Sequence, residues 1–152
     1  MRVLSLRYFN PVGSDPGLRT GLQLKRPSRA LGKLIQAHQA RTAFSVTGVN
    51  YPTRDGTGIR DYVHVWDLAA AHIAAIERFD TICTQAQRAA AVNLGTGNGT
   101  TVRELCAAFN NVVSTPLKTV DAGPRPGDVA GGYTPSDRAE ELLGWTPKLS
   151  LE

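Results

Sequence analysis

The chain has 152 residues, enough for one domain that buries about two-thirds of its unfolded surface. With 41% hydrophobic and 20% charged residues, 15 Gly and 9 Pro, the composition is that of a globular protein and excludes a disordered or fibrous chain. The net charge of +4 is spread out apart from Lys25, Arg26, Arg29 and Lys33, which argues against the dense basic stripe of a nucleic-acid binder.

Residues 3 to 9, "VLSLRYF", form an apolar and aromatic run closed by the turn-rich "NPVGSDPG", which predicts a buried strand ending near Asn10. In "RPSRALGKLIQAHQA", Ser28 is a candidate cap and Leu31, Leu34, Ile35 and His38 share one helical face. "AFSVTGVNYPTRDGTGIRDYVHV" is rich in β-formers and split by Pro52 and Asp55-Gly56, so two strands with an ordered loop between them are expected. Asp67 is expected to open the helix "LAAAHIAAIERF", with Leu68, His72, Ile76 and Phe79 on one stripe.

"AAVNLGTGNGT" reads as strand and turn, and Thr101 with Glu104 forms a capping box for an amphipathic helix carrying Val102, Leu105, Cys106, Phe109 and Val112. "LKTVDAG" is a further short strand, and Ser136 and Gly144 are expected to bound the helix "DRAEELL". Strands alternating with helices point to an α/β fold.

Gly95, Gly97 and Gly99 stand between strand and helix, with Asp121 about 20 residues on, as in a dinucleotide-binding unit. The fingerprint G-x-G-x-x-G needs its third glycine at position 100, where Thr stands. The reading favoured here is a turn ahead of a Thr-capped helix. Cys83 and Cys106 show no Cys-x-x-Cys spacing and read as reduced thiols of a cytoplasmic protein, with neither a zinc site nor a redox pair. His64 and His72 lack an accompanying acid cluster, so no metal is expected. The opening "MRVLSLRYFN" has no apolar signal region, and no stretch approaches the ~18 apolar residues of a membrane span.

"LRYFNPVG", "NYPTRDGTGIRDYVHVWDLAAAH", "NLGTGNGTTVREL" and "RPGD" followed by "AEELLGW" resemble UDP-glucose 4-epimerases, members of the extended short-chain dehydrogenase/reductase superfamily. Arg-Asp-Tyr-x-His-Val and the Asn-Leu-Gly turn are similar to many members, whereas "YPTRDGTG" is more particular to the 4-epimerases. The resemblance covers nearly the whole chain and matches the second half of the family. It implies a partial Rossmann-like α/β fold lacking the N-terminal strands of the parallel sheet, with a small α/β substrate-binding domain. Strands near 3–9 and 91–94 would be remnants of the cofactor-domain sheet, and 14–60 and 100–152 mainly substrate-binding.

The resemblance also implies NAD as cofactor and a UDP-sugar as ligand. Family chemistry needs a Tyr-x-x-x-Lys pair, whose tyrosine takes a hydroxyl proton while hydride passes to NAD. Four positions after Tyr8, Tyr51, Tyr62 and Tyr133 stand Val12, Asp55, Trp66 and Asp137, so no catalytic residue is assigned. Tyr8 and Pro11 match the segment beside the nicotinamide, and Asn10 a substrate-touching amide, which read alone would be a turn residue before proline. Arg60 and Arg125 match arginines that meet the diphosphate, and Asp128 an acid that holds ribose. Tyr62 matches a ligand-side position or is a core aromatic. Arg29-Ala30, Thr47 and Gly132 depart from the family pattern and leave the base and sugar open.

The expected function is therefore the substrate-binding half of a UDP-glucose 4-epimerase-like enzyme, inactive alone and completed by an N-terminal half or by homo-oligomerisation. The alternatives are a non-catalytic nucleotide-sugar binding or regulatory module, and a small dinucleotide protein using Gly95 to Gly99.

Overall fold

The computed structural model describes residues 1–151. The chain divides into two compact units, the first made of Met1–Gly21, Asp61–Gly99 and Tyr133–Ser150, the second mainly of Leu22–Arg60 and Thr100–Gly132. Residues 133–150, grouped with 100–132 in the sequence reading, belong to the first unit.

In the first unit, β1 (Val3–Tyr8) pairs in parallel with β6 (Ala89–Leu94), from Val3 opposite Ala89 to Tyr8 opposite Leu94. The predicted strand over 3–9 stops at Tyr8, and a second short strand follows at once: β2 (Asn10–Val12) pairs in parallel with β5 (Tyr62–His64). Asn-Pro-Val reads as a turn in isolation, yet the Asn10 N–H donates to the Asp61 carbonyl at 2.9 Å and carries the chain onward as a strand.

Helix α2 (Val65–Glu77) joins these strands to β6 by way of the short α3 (Phe79–Ile82). Its cap is His64, whose Nδ1 accepts from the Trp66 N–H at 3.1 Å, and not Asp67. Asp67 is buried two residues inside the helix, where its carboxylate accepts from the N–H groups of Lys148 and Leu149, both at 2.9 Å. The expected stripe is also corrected. The buried side is Leu68, Ala71 and Ala75, while His72 and Ile76 are exposed and Phe79 is half-buried. Alanines let the helix axis approach the sheet, so the small residues form the core face and the isoleucines turn outward.

Helix α5 (Asp137–Leu143) packs on β6, followed by Gly144 and by Trp145, whose Nε1 donates to the Asp67 carbonyl at 2.8 Å. Ser136 precedes α5 but makes no side-chain cap bond. Val63, Val92, Leu94 and Leu143 are almost wholly buried in this unit, each stabilising it by about 1.5–3 kcal/mol relative to exposure.

The second unit holds two small sheets. β3 (Phe44–Thr47) pairs in parallel with β8 (Thr119–Ala122). β4 (Ile59–Arg60) lies between β7 (Thr100–Thr101) and β9 (Gly131–Gly132), antiparallel to the first and parallel to the second. Helix α1 (Ala30–Gln39) is preceded by Arg29 as N-cap without a side-chain bond, so Ser28 does not cap it, and Ile35 lies on its exposed side. Helix α4 (Val102–Val112) has the predicted capping box: the Thr101 hydroxyl accepts from the Glu104 N–H at 3.2 Å and Glu104 accepts from the Thr101 N–H at 2.9 Å.

Candidate functional site

Three of the sequence-predicted site residues converge in the second unit. After β8 the chain turns through "RPGD", where the Arg125 fork holds Asp128: Nε donates at 2.9 Å and Nη2 at 3.2 Å, and the Asp128 N–H closes the turn onto the Arg125 carbonyl at 3.0 Å. Arg60, at the end of β4, reaches the same segment. Its Nη1 donates to the carbonyls of Ile59 at 2.8 Å and Ala130 at 3.0 Å, and its Nη2 to that of Val129 at 3.3 Å.

This close packing requires glycine at 131, where φ is +96° and a Cβ would stand 2.0 Å from Arg60 Nη1. The Arg125 guanidinium bonded to Asp128 holds that carboxyl below its usual range, and the Arg60 charge adds to the effect. In turn Asp128 raises the pKa of Arg125, with Tyr51 also contributing. Two guanidinium groups and one carboxylate thus share one loop, with Arg125 largely exposed.

Beside that loop lies a cavity of about 330 Å³ lined by Gly48 to Tyr51 and Asp121 to Pro124. Both stretches directly follow or end the parallel strands β3 and β8, and crevices at the carboxyl ends of such strands are where open α/β sheets take ligands. Tyr51 was not among the sequence candidates; its hydroxyl is buried without a hydrogen-bond partner among the described residues. Asp121, the acid noted about 20 residues beyond the glycine turn, is paired with Arg103 at 2.9 Å.

The "YPTRDGTG" loop has a structural role in the second unit. Asp55 accepts from the N–H of Thr57 at 2.9 Å, from its hydroxyl at 2.7 Å, and from the Thr101 hydroxyl, and Arg54 pairs with Glu104. The loop is thereby tied to the first turn of α4.

The other predicted residues lie in the first unit. Asn10 is half-buried and stands opposite Tyr62 in the β2–β5 ladder, with Pro11 opposite Val63. Tyr62 itself is buried at 8% exposure, while Tyr8 is half exposed with its ring 5.9 Å from that of His72. The Leu68 carbonyl accepts from the His72 Nδ1–H at 2.7 Å. Among the described residues no three of His, Cys, Asp and Glu cluster as metal ligands, and no helix is long and apolar enough to cross a membrane.

The Gly95–Gly99 turn fits a dinucleotide pyrophosphate poorly, because the N–H groups of Thr96, Gly97 and Asn98 are already taken. The Asp61 carboxylate accepts from the Thr96 N–H and hydroxyl and from the Thr134 N–H, while the Gly97 N–H donates to the Thr134 carbonyl at 3.0 Å. A Cβ on Gly95 would stand 2.4 Å from the Thr134 carbonyl oxygen and 2.5 Å from Asp61 Oδ2. The turn binds an anion, but the anion is a side chain of the same unit. Sequence inspection passed over Asp61, although a lone acid inside the apolar run "IRDYVHV" signals a buried carboxylate in need of donors.

Residues 1–95 match the NAD dependent epimerase/dehydratase family. The chain belongs to that family. It is 41% identical over 153 residues to UDP-glucose 4-epimerase 2 of Arabidopsis thaliana, a match covering 99% of this chain and 43% of the relative. The family fold is equally evident in structures. A UDP-glucose-4-epimerase from Stenotrophomonas maltophila with bound NAD and formylated UDP-arabinopyranose superposes with a TM-score of 0.89 at 35% identity, covering 99% of this chain and 44% of that one. The UDP-glucose 4-epimerase of Bifidobacterium longum in complex with NAD+ and UDP gives 0.87 at 34% identity, with 99% and 44% covered. The chain therefore has the extended short-chain dehydrogenase/reductase type of fold, Rossmann-like in part, and spans less than half the length of these relatives.

Proposed function

We propose that this chain is the nucleotide-sugar-binding part of a UDP-glucose 4-epimerase-like enzyme and does not epimerise by itself. The observation that carries the reading is the meeting of Arg60, Arg125 and Asp128 on one loop beside a cavity at the strand ends.

In this reading the diphosphate lies on the Arg125 fork. A guanidinium matches paired phosphate oxygens in a bidentate way, and its charge is fixed at all working pH values. Asp128 holds the fork in place and accepts from a ribose hydroxyl when phosphate takes its share of the fork. Arg60 acts twice: it anchors the 129–131 backbone and adds positive potential to the loop. Within the first unit, Asn10 carries an amide that both donates and accepts, which suits a sugar hydroxyl, and Tyr62 stands opposite it on the neighbouring strand.

NAD supplies hydride acceptance and return in this family type of reaction, with Tyr8 and Pro11 on the cofactor side of the chain. The glycine turn at 95–99 does not serve it, and none of the four tyrosines has a lysine four positions on. The missing proton and hydride steps belong to a complementing half or to a homo-oligomeric partner, and the working compartment is the cytoplasm.

Calorimetry with UDP, and with uridine for comparison, tests the reading. Heat with UDP and much weaker heat with uridine is expected; no heat with UDP contradicts it.

A further inference from the structure

Lys25, Arg26, Arg29 and Lys33, the one basic cluster in the sequence, have no part in the site described so far. All four are exposed, and among the described residues their side chains make no hydrogen bond or ion pair. The described acids of the second unit are all occupied: Glu104 by Arg54, Asp121 by Arg103, Asp128 by Arg125, and Asp55 by the hydroxyls of Thr57 and Thr101. Between Leu22 and Arg54 the sequence has no acid. Leu22–Arg60 and Thr100–Gly132 together hold ten Lys and Arg against four Asp and Glu, a charge of +6, in a chain whose net charge is +4.

The fold gathers the unpaired charges at one end of the unit. Pro27 and Leu22 lie against Gly32 in the first turn of α1, where a Cβ would stand 2.4 Å from Pro27 Cβ and 3.1 Å from Leu22 Cδ2. The segment before the helix is thereby folded back on it, which keeps Lys25 and Arg26 beside the helix start that carries Arg29 and Lys33. Helix α1 packs on β3 and turns back into it at once, the Thr42 N–H donating to the Ala37 carbonyl at 3.0 Å. A helix of ten residues is about 15 Å long and a strand of four about 13 Å, so the start of α1 comes level with the end of β3. There the Gly48 N–H donates to the Ala122 carbonyl at 3.0 Å and the cavity lined by Gly48 to Tyr51 and Asp121 to Pro124 begins. Arg41 and Lys118, exposed cations of the same unit, lie at the opposite end, after α1 and before β8.

We propose that Lys25, Arg26, Arg29 and Lys33 form an electrostatic approach to the nucleotide site, which speeds the capture of nucleoside diphosphates without holding them once bound. The proposal deepens the nucleotide-sugar reading and rests on it. The Arg125 fork is paired with Asp128, so at a distance the two charges largely cancel, and the field that reaches into solvent at this end comes from the four unpaired cations. Exposed charges act over about 8 Å at physiological salt, and steering of this kind raises association rates by roughly ten- to a thousandfold. Cations on the rim of a site change the association rate and its salt dependence, whereas a direct grip changes dissociation.

The test is a titration of 5-fluoro-UDP, and of uncharged 5-fluorouridine, with the full chain, in which fluorine NMR line shapes give association and dissociation rates. Association of 5-fluoro-UDP is expected to fall about tenfold between roughly 20 and 500 mM NaCl, and that of 5-fluorouridine to stay level. The triple variant Lys25→Gln, Arg26→Gln, Lys33→Gln lowers the low-salt association rate about fivefold, keeps the dissociation rate, and matches the wild-type chain at high salt. Arg29 is left in place because it is the N-cap residue of α1. Arg41→Gln with Lys118→Gln, the same kind of change at the far end, alters association less than about twofold. A salt-independent association rate in the wild-type chain overturns the proposal without any variant. So does a triple variant that acts on dissociation alone, or one whose effect the far-end pair reproduces. No binding of 5-fluoro-UDP removes the nucleotide-sugar reading together with this one, whereas binding indifferent to salt and to the triple variant removes this one and leaves that reading standing.

Discussion

The Asp61 carboxylate accepts from both the backbone N–H and the hydroxyl of Thr96, at 3.0 and 2.6 Å. Asp61 is fully buried, and with the Thr134 bond at 3.1 Å it organises the turn after β6 and the entry to the last helix. Asp61→Ala leaves two buried backbone donors unpaired, which costs on the order of 3 kcal/mol. Gly95→Ala forces a clash with backbone and is expected to destabilise comparably. Both appear as lowered melting temperatures in circular dichroism. Gly97→Val, in contrast, leaves NADH titrations unchanged, because the turn is not a dinucleotide loop.

Arg60 and Arg125 separate by their internal partners. Arg60 donates to three backbone carbonyls, so Arg60→Ala lowers both stability and UDP affinity. Arg125 donates to an exposed turn, so Arg125→Ala lowers UDP affinity at least tenfold with little change in melting temperature. Arg125→Lys keeps charge but loses the fork and falls between the two. Paired melting and calorimetry on the variants check this.

Acid weakens the second unit through named carboxylates. Arg54 bonded to Glu104 holds that carboxyl below its usual range. Burial pushes Asp55 up, but hydrogen bonds from Thr101 and Thr57 outweigh it and the net shift is downward. Asp128 is lowered by Arg125. A depressed folded-state pKa means stability that is present above the unfolded value, about 4 for carboxylates, and lost as pH falls through the folded value. The melting temperature is therefore expected to hold above about pH 5 and to fall below pH 4. In Glu104→Gln the fall becomes shallower.

Burial raises the Cys106 thiol to about 11, so almost no thiolate is present at pH 8. A thiol reagent at that pH is expected to leave Cys106 unmodified in the folded chain and to label it in denaturant, read by mass spectrometry. Rapid labelling of the native chain contradicts the buried placement.

Local chemistry made much of the fold legible. The Thr101–Glu104 capping box has its signature within a few residues and stands as expected, whereas the strand expected to be buried over 3–9 runs over Val3–Tyr8 with exposed and half-buried residues. The errors arise where distant segments decide. Asp67 has the composition of a helix cap, but the N–H groups of Lys148 and Leu149 claim its carboxylate, and His64 caps instead. The stripe through His72 and Ile76 follows hydrophobicity, whereas the core face uses alanines because the sheet lies close. The short motifs that named Arg60, Arg125 and Asp128 name residues that the structure brings together in the second unit. The cavity and the buried Tyr51 hydroxyl depend on strands 75 residues apart along the chain, β3 and β8, where Phe44 stands opposite Thr119, and no local pattern marks them. Tyr62 could be read as ligand-facing or core from sequence, and its burial favours a supporting place.

The most direct measurement is UDP calorimetry on the wild-type chain beside Arg125→Ala, with a UDP-galactose and NAD turnover assay on the same wild-type sample. The account predicts one UDP site, weakened at least tenfold in the variant, and no sustained conversion to UDP-glucose. Sustained conversion by the chain alone, or UDP binding indifferent to Arg125, would contradict it.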